Sequence, residues 1–126
     1  RTRFFFLSVR RFRWIIANRG FDIVQPDLNY YGGLISSTRV ARMAAVAGMP
    51  TTVHISGGFG FIYTLIFASF TPDIGRYQEY KRGIERYNNW FDPPLEIRDG
   101  AMTVPTEPGT GITDIQTIIK DTDPIT

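Results

Sequence analysis

Asp27 closes a short apolar run, residues 21–25 followed by Pro26, and His54, the only histidine, closes another, Thr51-Thr52-Val53. The 27 positions from one to the other hold a loop, Tyr30-Tyr31-Gly32-Gly33, and one amphipathic stretch of helix length, Leu34 to Ala47. Strand, helix and strand at this spacing predict a parallel βαβ unit. A carboxylate and an imidazole then stand at the ends of neighbouring parallel strands, where α/β folds gather their chemistry. The spacing alone leaves both a catalytic pair and a purely structural contact open.

The rest of the chain extends the alternation. From Leu7 to Asn18, Phe12, Ile15 and Ile16 form a short helical stripe that Gly20 stops. Gly48-Met49-Pro50 ends the helix over 34–47. Residues 59–70, FGFIYTLIFASF, read as a buried helix, and residues 76–81, RYQEYK, as a further strand. Beyond Asn88 the chain becomes loop-rich, with short β segments near 95–98 and 101–104 joined by an Asp99-Gly100 turn. Residues 114–120 suit one or two helical turns before a polar tail. The fold class is α/β, with parallel strands, helices outside them and a closing hairpin. As domains, 1–126 reads as one partial domain: an atypical opening over 1–9, the alternation over 10–87 and a closing segment over 88–126.

Composition excludes several functions. With no cysteine, neither a disulfide nor a thiolate metal site is available. A net charge of +2 is too small to argue for a nucleic-acid partner. Six arginines and no acid fall within residues 1–21, leaving eight basic and twelve acidic side chains in the other 105. These arginines alternate with Phe and Trp, which suits a helix better than a nucleic-acid arm. The run Phe4-Phe5-Phe6-Leu7 is shorter than the ~7–15 apolar residues of a signal peptide, and no stretch reaches the ~18 of a membrane span. The expectation is a cytoplasmic protein. Its opening looks like a broken edge, starting mid-element without Met.

Each candidate side chain also has a plainer reading. Asp27, ahead of a Gly-Gly loop, suits a helix cap, and His54 a satisfied strand-end histidine. Glu79 in RYQEYK suits a surface carboxylate. Ser56-Gly57-Gly58-Phe59-Gly60 has the glycines of a phosphate cradle but lacks the Lys-Ser/Thr that a P-loop needs, so it reads as a tight turn.

Four pieces in order, QPD with a following GG, AGMP, TTVH and IRDGAMTVP…EPGTGI, resemble the carboxyl-terminal part of an enolase-superfamily enzyme of the mandelate racemase/muconate lactonizing branch. The resemblance covers residues 11–112, and RFRWIIANRGFDIVQPD with QEYK is most similar to acid-sugar dehydratases. It implies the carboxyl-terminal half of a (β/α)-barrel whose sixth, seventh and eighth strands end at Asp27, His54 and Glu79. It implies abstraction of a proton α to a carboxylate, with the enediolate stabilised by Mg²⁺. Asp27 then holds the tautomer of His54, His54 acts as general base or acid, and Glu79 donates a hydrogen bond to the enolate oxygen. The implied reaction is dehydration of a sugar acid or small hydroxy-carboxylate, with racemisation or cycloisomerisation on the same scaffold. A non-catalytic α/β partner-binding module is the alternative of another class. The implied partner is the substrate alone, with neither nucleic acid nor membrane, and a homo-oligomer is compatible with the sequence.

The family's capping domain, lysine base and three carboxylate metal ligands precede this region. The last ligand falls by alignment near Phe4, and the opening RTRFFFLSV does not resemble the family. A whole barrel takes about 250 residues, so the 126-residue chain is expected to lack the metal and to be inactive alone.

Overall fold

The computed structural model describes residues 8–121. Residues 1–7, with Phe4 and the expected helix start at Leu7, and the tail from 122 lie outside the described residues. The chain divides after Lys81 into two compact units.

In the first unit, Ser8 caps α1 (Val9–Ala17), its hydroxyl accepting from the Arg11 N–H. The expected stripe of Phe12, Ile15 and Ile16 is buried. After the helix, Arg19 takes a left-handed conformation, and its guanidinium donates to the Ala47 carbonyl at 2.8 Å. That bond satisfies one of the orphan carbonyls at the end of α2. Helix α2 (Gly33–Val46) buries Ser37, Val40, Ala41 and Ala44, a row of small side chains at three- and four-residue spacing. Gly48, at φ 66°, stops it, and the Met49 N–H returns to the Ala44 carbonyl.

Helix α3 (Phe59–Phe70) corrects one expectation. It buries Gly60, Phe61, Ile62, Thr64 and Phe67, but Phe59, Tyr63 and Phe70 are exposed. At 3.6 residues per turn, a helix lying on a sheet turns one side outward even when nearly every residue is apolar.

Three extended segments run parallel between these helices. Val24 pairs with Thr51, Asp27 with His54, and Thr51 with Ile74, so the segment at 51–54 is central. Val24 N–H donates to the Pro50 carbonyl, Thr52 N–H to Val24 and His54 N–H to Pro26. On the other edge, Thr51 N–H donates to Asp73 and its carbonyl accepts from Gly75 at 2.7 Å. The expected strand over 76–81 is not formed. Main-chain pairing ends at Ile74–Gly75, and beyond it the central segment bonds to side chains of Gln78, Glu79 and Lys81.

Among the described residues, two apolar clusters pack the strands against the helices. Phe12, Ile15, Ile16, Val24, Tyr31, Val40, Ala44 and Met49 form one, with the Phe12 and Tyr31 rings edge to face at 4.9 Å. Leu28, Ala41, Val53 and Phe67 form the other, beneath α2 and α3. Both clusters draw on a strand segment and on helices, so the strands are fixed from the helix side.

In the second unit, a 3₁₀ helix (Glu85–Trp90) buries Tyr87 and Trp90, edge to face at 4.9 Å. The hairpin pairs β1 (Ile97–Arg98) with β2 (Ala101–Met102), shorter than expected. Its turn is the expected Asp99-Gly100, both at positive φ as a two-residue type I′ turn requires. Helix α4 (Ile115–Asp121) packs on the 3₁₀ helix, and the Trp90 carbonyl accepts from the Thr113 and Asp114 N–H groups.

Asp114 caps α4 by accepting from the Thr117 hydroxyl at 2.6 Å and the Thr117 N–H at 3.0 Å. The Thr117 hydroxyl, then its N–H, hold the carboxyl below its usual value of 3.8. A lowered folded-state pKa contributes stability that is complete above 3.8 and disappears as pH falls through the lower folded value. Circular dichroism or amide exchange followed from pH 5 to pH 2 is therefore expected to show α4 fraying at the acid end. In Asp114→Asn the Thr117 amide is expected to exchange at a pH-independent level of protection.

Candidate active site

Asp27 and His54 are direct partners in the parallel ladder, and residues so paired project from the same face of a sheet. That register, set by the Val24–Pro50 and His54–Pro26 bonds, brings the Asp27 Oδ2 to 2.7 Å from the His54 Nδ1. The Asp27 side chain is 1% exposed and that of His54 25%. A buried carboxylate is costly unless donors surround it. Here Oδ1 accepts from the Asn29 N–H at 2.8 Å and the Tyr30 N–H at 3.0 Å, and Oδ2 from the imidazole.

Asp27 does not cap α2, whose N-cap is Gly32 without a side-chain bond; its two oxygens divide instead between the turn and the imidazole. Oδ1 secures the turn that leads to α2, in which the Tyr31 N–H also reaches the Asp27 carbonyl. Oδ2 orients the ring. A carboxylate only accepts hydrogen bonds, so Nδ1 carries the hydrogen and Nε2 is the basic nitrogen of the neutral imidazole.

Glu79 reaches the same strand end by another route. Its Oε2 accepts from the Ile55 N–H at 3.0 Å, one residue beyond His54, although residue 79 is not in a strand. Lys81 Nζ donates to the Ile55 carbonyl at 3.2 Å. Gln78 Oε1 accepts from the Val53 N–H at 3.2 Å, and Gln25 Nε2 donates to the Val53 carbonyl at 3.3 Å. Sequence reasoning singled out Glu79 but passed over Gln25, Gln78 and Lys81. No residue pattern signals a polar side chain that substitutes for strand pairing.

The run 56–60 is a turn into α3, with the Gly60 N–H bonded to the Gly57 carbonyl. A Cβ on Gly60 would lie 2.6 Å from the Ser56 Cβ and 2.9 Å from the Asn29 Nδ2. Glycine therefore lets the loop after Asp27 approach the start of α3.

The magnesium ion implied by the resemblance does not fit these residues. Among the described residues, no three His, Asp or Glu side chains converge, and both oxygens of Asp27 are already engaged. No helix among them is long and apolar enough to cross a membrane. An open cavity of about 440 Å³ lies within the second unit, lined by Phe91, Pro93, Arg98, Val104 and Pro105 among others. Asp27, His54 and Glu79 do not line it.

Comparison with known proteins agrees with the fold. The profile of the enolase C-terminal domain-like family matches residues 6–115. Arabinonate dehydratase of Saccharolobus solfataricus is 33% identical over 108 residues, 80% of this chain and 28% of that protein. D-galactarolactone cycloisomerase of Agrobacterium fabrum is 35% identical over 100 residues, 72% of this chain and 26% of that protein. The crystal structure of an enolase from Pantoea ananatis with bound d-gluconate and Mg superposes with a TM-score of 0.72 at 21% identity, covering 88% of this chain and 28% of that one. The chain thus spans little more than a quarter of the length of the relatives it matches. With a profile match over most of its length and a fold shared with a solved enolase, the chain belongs to the enolase C-terminal domain-like family.

Proposed function

We propose that this chain supplies the Asp27–His54 acid/base pair of an enzyme that removes the proton α to the carboxylate of a sugar acid and expels a β-hydroxyl. The 2.7 Å contact between a buried carboxylate and a partly exposed imidazole carries the reading. In such a reaction the C–H bond breaks, its electron pair forms the enolate, and the C–O bond to the departing hydroxyl then breaks. The hydroxyl leaves as water, and the enol rearranges to a 2-oxo-3-deoxy acid. His54 Nε2 takes the α proton and passes it to the leaving hydroxyl, or, already protonated, gives its proton to the hydroxyl while a base supplied from outside these residues takes the α proton. In either case Asp27 stabilises the imidazolium. Glu79, tethered to the Ile55 N–H, donates to the enolate oxygen through its carboxyl group. The magnesium ion would be held by carboxylates outside this chain, and the 126 residues alone would be inactive.

The arabinonate dehydratase relative and the gluconate bound to the Pantoea ananatis structure support a sugar-acid substrate. A second reading, cycloisomerisation of a sugar-acid lactone, is favoured by the Agrobacterium fabrum relative, which has the slightly higher identity.

The test is turnover by the protein isolated from its source, supplied with Mg²⁺ and either aldonic acids or D-galactarolactone. Formation of a 2-oxo acid from an aldonate is the expected result, with a fall of about 10²–10⁴-fold in His54→Asn. Lactone turnover without 2-oxo acid would select the second reading. A source protein of only these 126 residues, inactive on both, would refute both.

A further inference from the structure

We infer that Gln78 is a positioning residue for the dyad: its carboxamide replaces the missing main-chain pairing of the segment after Gly75 and fixes the strand that carries His54. The inference rests on the proposed role of the Asp27–His54 pair and deepens it.

The main-chain groups of the central segment can be followed one by one. At Thr51, N–H and carbonyl both bond to main chain, at Asp73 and Gly75. Thr52 and His54 donate to main chain on the opposite edge, at Val24 and Pro26. At Val53, which is fully buried, the pattern changes. Its N–H donates to the Gln78 Oε1 and its carbonyl accepts from the Gln25 Nε2. Gln78 also donates through Nε2 to the Gly75 carbonyl at 2.7 Å, so the carboxamide bridges the last paired main-chain residue and the next peptide along the strand. Only a group with both an acceptor and a donor on one short plane can do this.

Val53 is the residue before His54, and its N–H is shut off from water. Without Gln78 that N–H loses its partner, and a buried orphan donor drives the peptide to seek another. The N–H that Gln78 holds belongs to the Thr52–Val53 peptide, so its displacement reaches the His54 Cα through Val53, and the Asp27 contact at 2.7 Å leaves little room for that. Glu79 and Lys81 grip the N–H and carbonyl of Ile55 on the far side of His54. The histidine is thus bracketed by side-chain bonds at both neighbours, and the Gln78 carboxamide also ties back to the main chain at Gly75.

The full-length protein provides the test, with Gln78→Met removing both functions and Gln78→Glu keeping the acceptor. The readouts are the kcat and KM pair, and the low-field imidazole N–H resonance assigned by its loss in His54→Asn. Gln78→Met is expected to lose or broaden that resonance and to lower kcat about tenfold, with KM little changed. Gln78→Glu is expected to keep the resonance. In the wild type the Val53 amide is expected to resist hydrogen exchange, and that measurement holds even if Gln78→Met does not fold. Rapid exchange at Val53, or a folded Gln78→Met with an intact resonance and kcat, would overturn the inference. If His54→Asn keeps full turnover while Val53 protection still depends on Gln78, the dyad reading fails and the positioning of the strand by Gln78 stands.

Discussion

Asp27→Asn is expected to leave the protein folded and to cut turnover by about 10²–10⁴-fold. Asparagine is nearly isosteric with aspartate, and its carbonyl oxygen still accepts from the Asn29 and Tyr30 N–H groups that Oδ1 serves now. The atom facing His54 becomes an amide nitrogen, which donates. Nδ1 must then accept, the hydrogen moves to Nε2, and the neutral ring has no basic nitrogen on its reactive side. The lost charge also removes the partner of the imidazolium. Thermal unfolding within a few degrees of wild type, with kcat reduced, is the expected pair of results, and nitrogen-15 shifts of His54 would report the exchanged tautomer. Asp27→Ala differs, since it also strips the acceptor from two N–H groups at the turn and so loses stability as well. Unchanged turnover in Asp27→Asn would reduce the pair to a structural contact.

Phe67→Ala is expected to cost about 3–5 kcal/mol. Phe67 is fully buried on the inner face of α3, where it packs with Leu28, Ala41 and Val53. Those partners come from the loop after Asp27, from α2 and from the histidine strand, so the cavity opens where three elements meet. None of the three can close it without breaking its own main-chain bonds. Urea unfolding measures the loss through a lower midpoint at unchanged slope. A cost below about 1 kcal/mol would mean that α3 is not fixed to the sheet through this residue. Since typical domains are stable by only about 5–15 kcal/mol, the loss is also expected to lower the yield of folded protein.

Much of both units was legible in the chain because the signals are local. The stripe Phe12, Ile15, Ile16, the stop at Gly48 and the Asp99-Gly100 turn each follow from the periodicity or backbone freedom of a few adjacent residues. The Asp27–His54 pair was legible too. One helix between two short strands leaves the parallel register as the outcome, and that register carries both side chains to one face. The outward face of α3 was not legible. A helix apolar all round does not encode which side meets the sheet, and the burial of Phe61 and Phe67 against the exposure of Phe59 and Phe70 follows from where α2 and the strands lie.

What the sequence determined by itself was the order of elements, their ends and the two residues at the strand tips, because each depends on neighbours in the chain. Only the tertiary structure decided how the last segment meets the sheet. RYQEYK has the composition of a strand, yet its main chain leaves the ladder at Gly75, and Gln78, Glu79 and Lys81 complete the bonding through side chains. That outcome depends on which buried peptide groups of Val53 and Ile55 still lack a partner once the fold has formed. A hydrogen-bond deficit of that kind belongs to residues some 25 positions away, so no local pattern in residues 76–81 could record it.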